Sequence, residues 1–107
     1  MITFDEKKYP LITEKEIKDA LQFSTEQVLR DLPEFTDRFQ NAYSENGFYQ
    51  PIPNNYWTCG FWTGEIWLAY EYSQDERLKK AGEVQVKSFL NRIDNKIEVD
   101  HHDMGFL

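Results

Sequence analysis

The side chains best suited to chemistry crowd one end of the sequence. Asp100-His101-His102-Asp103 is followed by Met104-Gly105-Phe106-Leu107. Two carboxylates and two imidazoles in four residues invite a metal reading. Zinc, however, needs ligands that converge tetrahedrally, with His residues commonly three to five positions apart or on separate elements. Adjacent His side chains diverge and nothing upstream supplies partners, so no metal is expected. Two readings of the cluster stay open. Asp103 caps a helix that begins at Met104, or it is a catalytic carboxylate set beside aromatic surface. Cys59 is the only cysteine, which excludes a disulfide scaffold and a Cys-based zinc site. With both His residues far along the chain it reads as a small buried hydrophobe and not a nucleophile. Glu65 and Glu71, six positions apart, do not share a helix face. Carboxylate-pair chemistry needs two acids facing one substrate, so Asp103 has no evident partner acid here.

The second concentration is aromatic. Residues 56–72 (YWTCGFWTGEIWLAYEY) contain all three Trp, three of the six Tyr and one Phe. A helix over 61–72 places apolar or aromatic side chains on nearly every side, the mark of a helix buried on most of its circumference. Trp62, Trp67 and Tyr70 read as core. Trp57 differs: it precedes Gly60 and adjoins a Pro/Asn-rich loop, where a pocket can open and an aromatic face can stack on a sugar ring.

Other elements must hold these two groups. Thr13-Glu14-Lys15-Glu16 matches a capping box. Ile17, Ala20, Leu21, Ser24, Val28 and Leu32 follow on one helical face, and Pro33 is expected to end that helix. Residues 34–43 read as a shorter helix carrying Phe35 and Phe39. Residues 44–55, with Asn46-Gly47, Pro51, Pro53 and Asn54-Asn55, read as an irregular connection. Asp75 caps a helix over 76–93 whose stripe is Leu78, Gly82, Val86, Phe89, Leu90 and Ile93. Residues 96–99 suit at most a short extended piece. Outer helix, buried helix, outer helix is the pattern of an all-α protein in two concentric layers, here as two helical hairpins.

The 107 residues allow one small domain. Net charge is −7 with 12 basic against 19 acidic residues, which argues against nucleic acid and an anionic membrane surface as partners. No stretch of 18 apolar residues is present, so no transmembrane helix is expected. Residues 1–10 lack a charged segment followed by an apolar run, so no secretory signal is expected and the cytoplasm is the default location.

The run from Trp57 to Trp67 resembles the W-x-x-G-F-W-x-G-x-x-W pattern of the unsaturated glucuronyl hydrolases, glycoside hydrolase family 88. His102-Asp103-Met104-Gly105-Phe106 resembles their H-D-x-G-F motif, in the same order with a helix between. The resemblance implies an (α/α)6 barrel of six helical hairpins and a substrate with a Δ4,5-unsaturated uronic acid at its non-reducing end, derived from hyaluronan or chondroitin. It implies hydration of the vinyl ether: an acid protonates the double bond, water adds at C5, and the hemiketal opens and releases the sugar. No metal or organic cofactor is implied. Carried over by motif, Asp103 is the catalytic carboxylate, Trp57 and Phe61 line the sugar site, and His102 shapes it. The family's principal acid/base is another Asp on a later inner helix. On this reading residues 1–107 are the N-terminal part of one truncated catalytic domain, inactive alone. Its open apolar face would meet the remainder of the barrel or a second copy. Two alternatives remain: a non-enzymatic helical module binding carbohydrate or protein, and a fragment of the related unsaturated rhamnogalacturonyl hydrolases.

Overall fold

The computed structural model describes residues 3, 5, 7, 8 and 10–107. The segment read for a secretory signal therefore lies partly outside the described residues. The element order is α1 (Glu14–Phe35), β1 (Phe39–Glu45), β2 (Phe48–Ile52), α2 (Cys59–Ser73), α3 (Glu76–Asp94) and a 3-10 turn over His102–Phe106. The fold is mostly helical, as expected, but as three long helices and a β-hairpin instead of two helical hairpins.

The expected capping box starts α1. Thr13 Oγ1 accepts from the Glu16 amide at 3.1 Å, and the Glu16 carboxylate accepts from the Thr13 amide at 3.2 Å. Pro33 does not end the helix. It lies in the last turn, where its missing N–H costs one ladder bond, and the chain stays helical to Phe35. Thr36 Oγ1 donates to the Leu32 carbonyl, one of the last four of the helix, at 2.6 Å. The stripe also needs correction. Thr25, Val28, Leu32 and Phe35 are buried, whereas Ile17, Ala20, Leu21 and Ser24 are exposed.

The helix expected over 34–43 and the irregular connection after it are both replaced by the hairpin. Asn46 and Gly47 both have positive φ, 53° and 83°, the two-residue turn that matches strand twist. The pairs Glu45–Phe48 and Phe39–Ile52 set the antiparallel register, with a bulge between Gln40 and Ser44. Phe39 is fully buried and packs edge-on against Phe89 at 5.5 Å, which pins the base of the hairpin to α3. Its outer part, with Tyr43, Phe48 and Tyr49, is exposed.

α2 is more apolar than either neighbour, as its sequence indicates, yet only one face is buried: Cys59, Trp62, Thr63, Ile66 and Ala69. Phe61, Leu68 and Tyr72 are exposed. The expectation of burial around most of the circumference is not met by the contacts within this chain.

α3 begins at the Asp75 cap, whose side chain accepts from the Arg77 amide at 2.9 Å. Its buried face is Leu78, Ala81, Gly82, Gln85 and Arg92, while Val86, Leu90 and Ile93 are exposed. The stripe was misplaced because two polar residues are the ones buried. Gln85 satisfies its amide inside: Nε2 donates to the Thr36 carbonyl at 2.7 Å and the Phe35 carbonyl at 3.2 Å, and Oε1 accepts from Thr63 Oγ1 at 2.5 Å. Trp62 Nε1 donates to the Phe35 carbonyl as well, at 2.6 Å. The carbonyls that α1 leaves unpaired at its C-terminus thus tie all three helices together. Gly82 permits close approach here, because a Cβ would lie 2.7 Å from Cζ2 of Trp67.

After α3 the chain does not extend. Lys96 and Glu98 both adopt positive φ, 52° and 47°, so the short extended piece over 96–99 is absent.

Candidate functional site

The two motifs meet at one end of the helices. Only a glycine at the start of α2 allows this: a Cβ on Gly60 would collide with the Phe106 carbonyl oxygen and lie 2.9 Å from Cα of Leu107. The 3-10 turn therefore rests with its backbone directly on α2. Its Phe106 ring sits 5.9 Å from both Trp57 and Phe61, and Trp57 meets Phe61 edge-on at 6.2 Å. All three rings remain partly open, Trp57 at 38%, Phe61 at 49% and Phe106 at 50%. Nearly half-exposed aromatic faces clustered at a helix start can stack on the apolar face of a ligand ring. Trp57 and Phe61, which the resemblance assigns to a sugar site, are thus in contact with each other. Phe106, read only as part of a motif, is the third member.

Asp103 belongs to the same turn. Its side chain is 27% exposed and lies 3.4 Å from Nε2 of His102, whose own side chain is 92% exposed. Asp103 does not cap the turn. The cap is His101, whose Nδ1 accepts from the Asp103 amide at 3.2 Å. An accepting Nδ1 places the ring proton on Nε2, and Nε2 donates to the Glu98 carbonyl at 2.9 Å. The reading of Asp103 as a helix cap is corrected, and its carboxylate is left available.

The walls of this end are fixed by Arg92, a residue that carried no role in the sequence reading. It is 1% exposed. Nε donates to the Ile97 carbonyl at 2.9 Å and Nη2 to the Glu98 carbonyl at 2.8 Å. Nη1 donates to the Tyr56 carbonyl at 2.9 Å and to Oδ1 of Asn54 at 3.1 Å. One guanidinium thereby joins the loop before Trp57 to the segment before His101. Only the five donors of its rigid fork match such a set of carbonyls. Asn54 Nδ2 is held in turn by Ser88 Oγ at 3.1 Å. The signal that could have found Arg92 is its place one turn beyond Ser88 and Phe89 on the inner face of α3. A charged residue at a core position of an amphipathic helix is buried only when fully paired.

Cys59 is 1% exposed, and burial pushes its thiol up, which leaves it inert as read. Glu65 lies elsewhere, in a groove of about 700 Å³ between α1 and α2 that also involves Asp31, Leu68 and Tyr72. Desolvation, with the Asp31 charge second, pushes the Glu65 carboxyl above its ordinary value. The structure brings no second carboxylate of α2 to Asp103. Among the described residues no three His, Cys, Asp or Glu converge as a metal site, and no helix is long and apolar enough to cross a membrane.

No family model matches the chain. An unsaturated chondroitin disaccharide hydrolase of Streptococcus agalactiae serotype III is 43% identical over 97 residues, 91% of this chain and 24% of the relative. The crystal structure of unsaturated glucuronyl hydrolase from Streptococcus agalactiae superposes with a TM-score of 0.89 at 42% identity, covering 94% of this chain and 25% of that one. A variant of that hydrolase complexed with dGlcA-GalNAc6S superposes with a TM-score of 0.88 at 42% identity, covering 94% of this chain and 27% of that one. The chain spans about a quarter of the length of the relatives it matches. The solved neighbours are helical (α/α)6-barrel enzymes, and the helices found here follow their backbone. Over that quarter the chain shares the sequence and the fold of the unsaturated glucuronyl hydrolases, the family its two motifs resemble.

Proposed function

We propose that this chain supplies part of the site of a glycoside hydrolase that removes a Δ4,5-unsaturated uronic acid from glycosaminoglycan-derived oligosaccharides. The observation that carries this reading is the docking of the His102–Phe106 turn on Gly60, which sets Phe106, three residues from Asp103 in the same turn, against the Trp57 and Phe61 rings. The rings receive the apolar face of the sugar. A carboxylate beside an unsaturated ring stabilises the positive charge that develops when the double bond is protonated. Water then adds at C5, and the resulting hemiketal opens to release the remaining sugar. His102, exposed beside Asp103, is a wall of the sugar site. The relatives' printed activities, and the disaccharide in the structural neighbour, support this substrate class.

Residues 1–107 form part of one catalytic barrel domain, whose remainder covers the open face of α2 and brings the principal acid. The chain alone is inactive. A cytoplasmic location suits the reading, since lyase-generated disaccharides are small enough to be imported.

The test is incubation of the full-length protein with unsaturated chondroitin disaccharide, following the ultraviolet absorbance of the conjugated double bond. Absorbance is expected to fall, and Asp103→Asn to abolish the fall. Constant absorbance with glycosaminoglycan-derived substrates would overturn the functional reading. Full activity in Asp103→Asn would overturn the assignment of Asp103.

A further inference from the structure

We infer that His101 and Arg92 are positioning residues for Asp103, acting through the Glu98 carbonyl. This rests on the functional reading above. The chain of contacts is short and directional. The Asp103 amide donates to His101 Nδ1 at 3.2 Å, and His101 Nε2 donates to the Glu98 carbonyl at 2.9 Å. Arg92 Nη2 donates to the same carbonyl at 2.8 Å. Glu98 O therefore accepts one hydrogen bond from a buried cation and one from the imidazole, which occupies both its lone pairs.

This arrangement does more than cap a turn. An oxygen or nitrogen acceptor at the capping position satisfies the Asp103 amide whatever lies behind it. The imidazole instead fixes that acceptor in space, because its other nitrogen is anchored to a carbonyl that the fully buried Arg92 holds. The anchoring segment is itself unusual. Lys96 and Glu98 sit at positive φ without being glycine, a conformation costing roughly 1 kcal/mol per residue. Arg92 grips the carbonyls of Ile97 and Glu98 between and at these positions. Strained backbone held by a buried fork, ending at a reactive carboxylate, is what placing a group accurately requires.

Two substitutions separate positioning from capping. His101→Asn keeps an acceptor where Nδ1 lies and is a favoured cap, but it loses the anchor to Glu98. His101→Gln keeps a donor where Nε2 lies and loses the cap. If His101 only capped the turn, His101→Asn would have full activity. Positioning predicts that His101→Asn in the full-length protein lowers kcat by about tenfold or more, with KM within about twofold and the melting temperature unchanged. Unchanged kcat in His101→Asn would overturn the inference. So would a fall in kcat matched by an equivalent fall in melting temperature.

Arg92→Lys, which retains the charge but not the fork, is expected to lower kcat further, and unfolding of that variant leaves the His101 comparison intact as the deciding test. A protein without activity on the disaccharide would sink the functional reading alone. The relay is then read from nitrogen NMR of the His101 ring. A protonated Nε2 and an accepting Nδ1 support it; the opposite tautomer overturns it.

Discussion

α2 carries two apolar stripes of similar composition in different surroundings. Cys59, Trp62, Thr63, Ile66 and Ala69 are buried, whereas Phe61, Leu68 and Tyr72 stay exposed, and Glu65, Leu68 and Tyr72 border the groove beside α1. The hydrophobic character of a residue therefore says little about its contribution here; the neighbour decides. A side chain stabilises the chain only by the contacts and buried area it gains on folding. The exposed stripe gains few in this chain, and on the proposed function it meets the rest of the barrel.

The contrast can be broken by substitution. Ile66, fully buried, should cost about 2–5 kcal/mol when changed to Ala, as large-to-small core changes do, read from urea unfolding of the chain. Gly82→Ala comes next. Its Cβ would press on the Trp67 indole at 2.7 Å, an overpacking of about 1–3 kcal/mol that outweighs roughly 1 kcal/mol gained in helix propensity. A stabilised Gly82→Ala would mean that the contact between α2 and α3 is looser than described. Leu68, 66% exposed, should change stability by less than about 0.5 kcal/mol when made Ala. A loss at Leu68 equal to that at Ile66 would erase the distinction between the two faces.

The smallest effect concerns Glu65. Its raised pKa means the folded chain holds that proton more tightly than the unfolded chain. The associated stability is complete at pH below the ordinary carboxylate range and is lost as pH rises through the raised value. Glu65→Gln should therefore raise the melting temperature at neutral pH and leave it unchanged in acid. An equal shift at both would assign the effect to packing.

The parts of the fold legible in sequence were those where a local signal decides. The Thr13 capping box, the Asp75 cap and the extent of α2 within two residues all rest on nearby residues. The hairpin was missed although Asn46-Gly47 is the strongest short-range turn signal, because the flanking residues do not alternate: only Phe39 is buried among β1, and β2 contains Pro51. The α3 stripe was misread because periodicity counts apolar residues, whereas Gln85 and Arg92 are buried by virtue of their hydrogen bonds. At the candidate site, motif resemblance alone singles out Trp57, Phe61 and Asp103, and Gly60 has a physical reason in the turn that lies on it. His101 was legible only as one of two adjacent imidazoles. Its role depends on a carbonyl three residues back, and no spacing rule carries that. One local misfit survives: Thr58 Oγ1 is buried without a hydrogen-bond partner among the described residues.

The Arg92 fork has a consequence for how this end of the molecule comes apart. The loop at 54–56 and the segment at 97–98 have no ladder between them and are joined mainly through one buried cation. Releasing either segment strands that charge in the interior, where an unpaired ion costs several kcal/mol. Neither can fray by itself at low cost. The two stretches should open as a single unit, together with the Trp57 ring and the Asp103 turn they support, and their amide protons should exchange with solvent at a common free energy.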